Sequence, residues 1–199
     1  MYNDAILKEL YKGHVINIVP DNNYESPREC DNLGTILYTS SRYILGDKKV
    51  YIEDIDAIIK RKDAIYLNVY AYIHGGVCLN TSGFSCPWDS GQCGIIYTTK
   101  KEVLKNYNKK RITKKLLKLV YNSLKNEIKT FSDYLEGNTY GYQVFDESKD
   151  VIESCYGFIG DYDGYVLEEA KSIIDYIVKK DAIRSIEKAR ESVASVSCF

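Results

Sequence analysis

Between Ala64 and His74 the chain reads Ala-Ile-Tyr-Leu-Asn-Val-Tyr-Ala-Tyr-Ile-His, passes through Gly75-Gly76 and resumes as Val77-Cys78-Leu79. β-Branched and aromatic residues suit the pleated, half-buried surface of a sheet, and a Gly-Gly pair supplies the positive φ angles of a two-residue hairpin turn. The segment predicts an antiparallel hairpin. Two strands alone are at best marginal in water, so the rest of the chain must supply more strands and a covering layer.

Several segments fit that need. His14 to Val19 alternates like a strand and stops at Pro20, Gly94 to Tyr97 reads as a short strand, and Tyr140 to Phe145 with Val151 to Phe158 reads as a second hairpin. Ile52, Ile55, Ile58 and Ile59 recur at helical spacing and predict a helix over 52–62, with Glu53 and Asp54 placed to meet its positive end. Thr99-Lys-Lys-Glu102 matches a capping box, in which the hydroxyl and the carboxylate each satisfy an amide at a helix start. Thr113 caps a longer predicted helix with apolar Leu116, Leu117, Val120, Tyr121, Leu124, Ile128 and Phe131, and Gly137 stops it. A last helix is predicted over 164–194, and Asn3 or Asp4 is expected to cap a short one carrying Ile6, Leu7 and Leu10. Hairpin-linked strands followed by helices predict an α+β fold: an antiparallel sheet with helices packed at one side and a C-terminal helix. Residues 1–180 read as a single domain, and 181–199 as a helical extension and tail with its boundary at Lys180-Asp181.

Hydrophobic residues make up 45% and charged residues 28% of the chain, a globular balance that argues against wholesale disorder. The formal net charge of -1 excludes a polyanionic mimic and a uniformly basic coat. Charge is unevenly distributed. Eleven Lys or Arg fall between Lys100 and Lys129 against only Glu102 and Glu127, whereas Asp and Glu dominate after Phe131. With no apolar leader at the amino terminus and no stretch of membrane-spanning length, the expected location is the cytoplasm, in a host cell, with no membrane partner. Cysteines 30, 78, 86, 93, 155 and 198 are widely scattered, which predicts reduced thiols.

Two irregular stretches interrupt the pattern, residues 21–34 and 81–93, and long loops of this kind often carry function. The second holds the only Trp, Trp88, within Phe84-Ser-Cys-Pro-Trp-Asp-Ser-Gly-Gln92. Either it is a folded loop with Trp88 plugging the edge of the core, or its polar groups form a site. Cys86 with His74 as base would make a nucleophile. His74, Cys78, Cys86 and Cys93 lack the short paired spacing of a zinc knuckle, and Asp161-Tyr-Asp-Gly164 lacks the Glu that completes a calcium loop, so no metal is predicted from either. Glu25, Glu29, Asp31, Asp47 and Asp89 would hold a divalent ion for phosphodiester chemistry only if both loops met at one end of the sheet. No phosphate-cradling glycine loop is present in the sequence. The lysine-rich stretch, interleaved with Tyr107 and Tyr121, suits either a nucleic-acid backbone or an acidic protein face, or is a solvated helix surface.

Glu25-Ser-Pro-Arg28, Asp31-Asn-Leu-Gly34, Leu45-Gly46-Asp47, His74 and Cys86-Pro-Trp-Asp-Ser-Gly-Gln92 together resemble a widespread family of small phage and prophage proteins. Its members read ESPREWDNLG, then DHSG, then PFSCPWDSGQ, then DSCWGF, and the likeness covers residues 14–160. Cys30 stands where the family has Trp, Ile73 replaces the Asp before His74, Gly75 replaces Ser, and Tyr156 replaces the last Trp. Losing the acid beside His74 weakens any Asp-His catalytic scheme. Small phage proteins of this kind resemble counter-defence factors, including inhibitors of CRISPR-Cas effectors, and the resemblance implies that role.

Three readings follow. In the first, the chain inhibits a host nucleic-acid-targeting system by binding a defence nuclease or ribonucleoprotein surface. Lys110, Arg111, Lys114, Lys115 and Lys118 then meet RNA or DNA, while Arg28, Trp88 and Gln92 form the specific face. In the second, a phosphodiesterase or nuclease, Asp89, His74, Glu25 and Asp31 are catalytic and Arg28 steadies phosphate. A divalent metal belongs to that reading alone, and otherwise no cofactor is expected. In the third, a tyrosine-lined pocket sequesters a small nucleotide signal.

Overall fold

The predicted hairpin forms in the larger of two sheets, but Ile73 pairs with Val77, so the turn is the three residues His74, Gly75 and Gly76, of which only Gly75 takes a positive φ. A computed structural model describes residues 5–196, with side chains through residue 190. Its elements are, in chain order, β1 (Leu7–Tyr11), β2 (His14–Pro20), β3 (Thr35–Tyr38), β4 (Lys48–Lys49), α1 (Ile52–Ile59), β5 (Ala64–Ile73), β6 (Val77–Asn80), β7 (Ser90–Thr99), α2 (Lys100–Asn106), α3 (Lys114–Leu135), β8 (Thr139–Phe145), β9 (Val151–Ile159) and α4 (Leu167–Val196). The fold is α+β with antiparallel sheets and a C-terminal helix.

In place of one domain through residue 180, the chain divides into two compact units. One takes the residues up to Tyr24 and from Thr139 onward, and the other is Glu25–Asn138, inserted between β2 and β8. Each builds its own sheet and its own core, which is why the division falls there. The expected break at Lys180-Asp181 is absent, because α4 runs through it as one helix.

In the first unit the strand order is β1-β2-β8-β9, all antiparallel. Alternation sends Ile16, Ile18, Tyr142 and Val144 to one face, where Leu167, Ala170 and Ile174 of α4 cover them. The amino-terminal helix expected over Ile6, Leu7 and Leu10 is a strand instead, and its proposed caps Asn3 and Asp4 lie outside the described residues. Lys12 and Gly13 explain the error. Both adopt positive φ, 48° and 81°, and make a tight turn that pairs Leu7 with Ile18 and Tyr11 with His14.

In the second unit the order is β4-β3-β7-β5-β6, with only the short β3–β4 pair parallel. Leu116, Val120, Leu124, Ile128 and Phe131 of α3 bury one stripe against Ile36, Ile65, Val69, Ala71 and Ile96. The short α1 covers part of the opposite face through Ile55, against Leu37 and Ile95. Ser132, buried in α3, accepts from the Leu79 amide of edge strand β6 at 2.8 Å and donates to Glu136 at 2.9 Å. The Thr99 capping box forms as expected, with Thr99 Oγ1 accepting from the Glu102 amide at 3.2 Å. β7 extends well beyond the four residues predicted, so Ser90 and Gln92 belong to a strand rather than to a loop.

Candidate partner-binding surfaces

Three motif segments converge on Arg28, and what they build is a clamp. Ser26 starts the short 3-10 turn Pro27–Glu29 by accepting from the Arg28 amide at 3.3 Å. The guanidinium then donates from Nε and Nη2 to the two oxygens of Asp47 at 2.8 Å each, from Nη1 to Asn32 at 2.9 Å and Glu127 at 3.0 Å, and from Nη2 to the Gly34 carbonyl at 2.6 Å. All five guanidinium hydrogens have an acceptor in this set. Burial opposes the charge, but Asp47 and then Glu127 hold the guanidinium above its ordinary pKa. Glu127 also accepts from the Leu33 and Gly34 amides, and Asp47 from the Ile36 amide. Arg28 has no donor left for a phosphate or a partner. Its expected binding role gives way to tying the 25–34 loop to β3 and α3.

Asp89, His74 and Cys86 do meet. His74 Nδ1 lies 3.3 Å from Asp89 Oδ2, and the Cys86 thiol donates to the same oxygen at 3.8 Å. Asp89 therefore stands between the other two, whereas a thiol nucleophile needs the imidazole in that middle place. The loop is held by Asn80, whose Oδ1 accepts from the Ser82 and Gly83 amides at 3.1 and 2.7 Å, by Phe84 against Tyr72, and by Ser90 Oγ donating to the Cys86 carbonyl.

Glu25 and Asp31 are exposed and do not join that cluster. The loop carrying them enters β3 at Thr35, opposite Tyr97, while Asp89 precedes Ser90 at the other end of β7. Seven residues of strand separate the two levels, roughly 23 Å. The loops do not meet at one end of the sheet, so the composite carboxylate site is not assembled. Among the described residues no group of three or more His, Cys, Asp or Glu is placed to hold a metal ion.

Trp88 is 92% exposed, which removes its reading as a core plug. It stands on the rim of an open cleft of about 440 Å³ with Arg42, Tyr43, Asp89 and Gln92, floored by Leu45, Ala71 and Ile73. Arg42 lies over the Tyr43 ring at 5.2 Å. Neither Arg42 nor Glu127 stands out in the sequence. The one available signal was that Glu127 is the sole acid in the first five turns of a lysine-rich helix.

The lysine-rich stretch begins at the far end of β7, where α2 leaves Thr99. Lys110 and Arg111 lie between α2 and α3, and Lys114, Lys115 and Lys118 lie on the first turns of α3, all exposed. Among the described residues none of these five has a side-chain partner. The two acids of the stretch are engaged elsewhere, Glu102 in the cap of α2 and Glu127 with Arg28. The positive charge is therefore uncompensated. α2 leaves from Thr99 and Trp88 precedes Ser90, so the start of α2 and the Trp88 cleft lie at opposite ends of β7, and none of the five basic residues lines that cleft.

Cys78 and Cys93 are pushed up to about 11 by burial, Cys78 also by Glu136, while Cys30 and Cys155 are exposed; Cys198 lies outside the described residues. No described helix is long and apolar enough to cross a membrane. No family model, no curated protein and no solved structure matches the chain.

Proposed function

We propose that this protein is a stoichiometric binder of a nucleic-acid-bearing target, and that it works as a counter-defence inhibitor of a host nuclease or ribonucleoprotein. The observation that carries the binding reading is the uncompensated charge of Lys110, Arg111, Lys114, Lys115 and Lys118, whose neighbouring acids are both engaged within the fold. Exposed lysines with no internal partner gain most from a phosphate backbone, where each contact releases counterions. The Trp88 cleft suits the protein part of such a target. An exposed indole beside Arg42 and Tyr43 has the composition of an interface hot spot, and the Asp89 carboxylate repels phosphate. The motif resemblance supplies the counter-defence setting.

The test is a titration of purified protein into a guide-loaded CRISPR effector with target DNA, read for cleavage and for guide-RNA length on one denaturing gel. Inhibition that saturates at equimolar protein with intact RNA is expected. RNA shortened by substoichiometric protein would instead establish a nuclease, and undiminished cleavage would remove this class of target.

A further inference from the structure

β7 pairs with β5 along its whole length, from Thr99 opposite Ala64 to Ser90 opposite Tyr72, but with β3 only from Tyr97 to Gly94. The last bond on the β3 side runs from the Thr39 amide to the Cys93 carbonyl at 2.9 Å. Ser40 then ends β3. Its Oγ accepts from the Arg42 and Tyr43 amides at 3.3 and 3.1 Å, a local turn that carries the chain off the sheet. Ser90, Gly91 and Gln92 are left with a strand on one side only. The ladder decides which of their groups face the open side. The Asp89 carbonyl accepts from the Ile73 amide at 2.8 Å, so Asp89 faces β5, and alternation turns Gly91 the same way and Ser90 and Gln92 the other. Cys93 is the extra residue where the register shifts between Val69 and Tyr70, which is why its carbonyl and the groups of Gln92 reach the same side. The amides and carbonyls of Ser90 and Gln92 therefore line up along the Trp88 cleft, and among the described residues no strand pairs with them there. A Cβ added at Gly91 would meet nothing within 4 Å, so the middle of the run is uncovered.

We infer that the Trp88 cleft takes an extended peptide segment of the protein target as an added strand beside Ser90, Gly91 and Gln92, in the line that β3 leaves. The unpaired backbone selects that occupant. Its donors and acceptors repeat every second residue, about 6.6 Å apart, and another strand presents the complementary set at the same spacing. A phosphate backbone brings acceptors for the two amides and nothing for the two carbonyls, and Asp89 at the rim repels it. Leu45, Ala71 and Ile73 give alternate side chains of the incoming strand an apolar floor, and the Trp88 ring, 92% exposed, gains the cover it lacks in the free chain. The inference rests on the reading of this cleft as the protein-facing surface, and it names the form that the partner takes there.

The experiment selects peptides on the full chain from a random-sequence library and remakes the strongest in three forms: unmodified, and with one or the other set of alternate backbone amides methylated. Calorimetry gives the affinities, and amide hydrogen exchange by NMR follows Ser90 and Gln92. A strand uses only the amides that face β7. One methylated form is therefore expected to lose about tenfold in affinity while the other stays within about twofold, and exchange at Ser90 and Gln92 should slow about tenfold. Trp88→Ala should weaken the unmodified peptide about tenfold. Equal affinity in all three forms, unchanged exchange at Ser90 and Gln92, or a selection that yields no peptide sensitive to Trp88→Ala overturns the added strand. The same exchange measurement with the guide-loaded effector keeps the two ideas apart. If the effector binds and Trp88→Ala weakens it while Ser90 and Gln92 exchange as in the free chain, the added strand falls and the wider reading stands. If the peptide behaves as expected and the effector does not bind, the strand stands and that target falls.

Discussion

Arg28 and Asp47 meet side by side, Nε and Nη2 each donating at 2.8 Å to one carboxylate oxygen, across 19 residues of sequence. The pair is mostly shielded, with 7% and 24% of the two side chains exposed, and Glu127 closes it from α3. Removing the cation would strand two carboxylates and the Gly34 carbonyl, so Arg28→Ala should cost about 3–5 kcal/mol. Lysine keeps the charge and loses the fork, and Arg28→Lys should still cost about 2 kcal/mol. Urea denaturation followed by circular dichroism checks both values. A change below about 0.5 kcal/mol for Arg28→Ala would show that the clamp is not a stability element.

A second prediction concerns two glycines in one strand. A Cβ added at Gly94 would run into the Leu37 carbonyl oxygen on β3, beside the register shift between Val69 and Tyr70 on β5. Backbone cannot step aside as a side-chain tip can, so Gly94→Ala should lower stability by about 3 kcal/mol or more. At Gly91 the added carbon meets nothing within 4 Å, and Gly91→Ala should stay within about 0.5 kcal/mol. Thermal melts of the two variants side by side make the comparison.

The third prediction is a pH dependence. Burial raises the Cys93 thiol from an ordinary 9 to about 11, and the thiol donates to the Val69 carbonyl at 3.5 Å. A raised folded-state pKa gives stability that is complete below pH 9 and lost as the pH climbs toward 11, because the unfolded thiol ionises first. The loss amounts to about 3 kcal/mol, and Cys93→Ala should flatten the urea midpoint over that window. In the native protein at pH 8, iodoacetamide should label Cys30 and Cys155 well before Cys78 and Cys93, read by mass spectrometry.

Much of the fold was legible where residue chemistry and period agreed. The Gly75-Gly76 hairpin, the Thr99 capping box and the apolar stripe of α3 each carry their cause within a few residues. The failures came from causes lying elsewhere in the chain. Leu7 and Leu10 fit a helix as well as a strand, and pairing with β2 through Lys12-Gly13 decided between them. The two-unit division depends on β2 pairing with β8 across an insertion of more than 100 residues, a contact that local pattern cannot announce. At the candidate site, composition singled out Arg28 and Trp88 alike. Only the acceptors that close around Arg28, and the absence of cover over Trp88, separate an enclosed clamp from an exposed side chain.

The separation of Trp88 from the lysine-rich end gives a fourth prediction. None of Lys114, Lys115 and Lys118 lines the Trp88 cleft, and substitutions at sites with no shared partners act independently. Trp88→Ala should cost about 2 kcal/mol in affinity for a protein-containing target and leave binding to naked RNA unchanged, as loss of an interface anchor does. Reversing Lys114, Lys115 and Lys118 to Glu should weaken both, more steeply as salt is lowered, because it removes phosphate contacts. Combining the two sets should give the sum of their separate effects to within about 0.5 kcal/mol, by calorimetry or surface plasmon resonance on the loaded ribonucleoprotein. A combined loss no larger than that of either set alone would mean that both surfaces serve one contact, and a Trp88→Ala loss on naked RNA would move the cleft to the nucleic-acid side of the target.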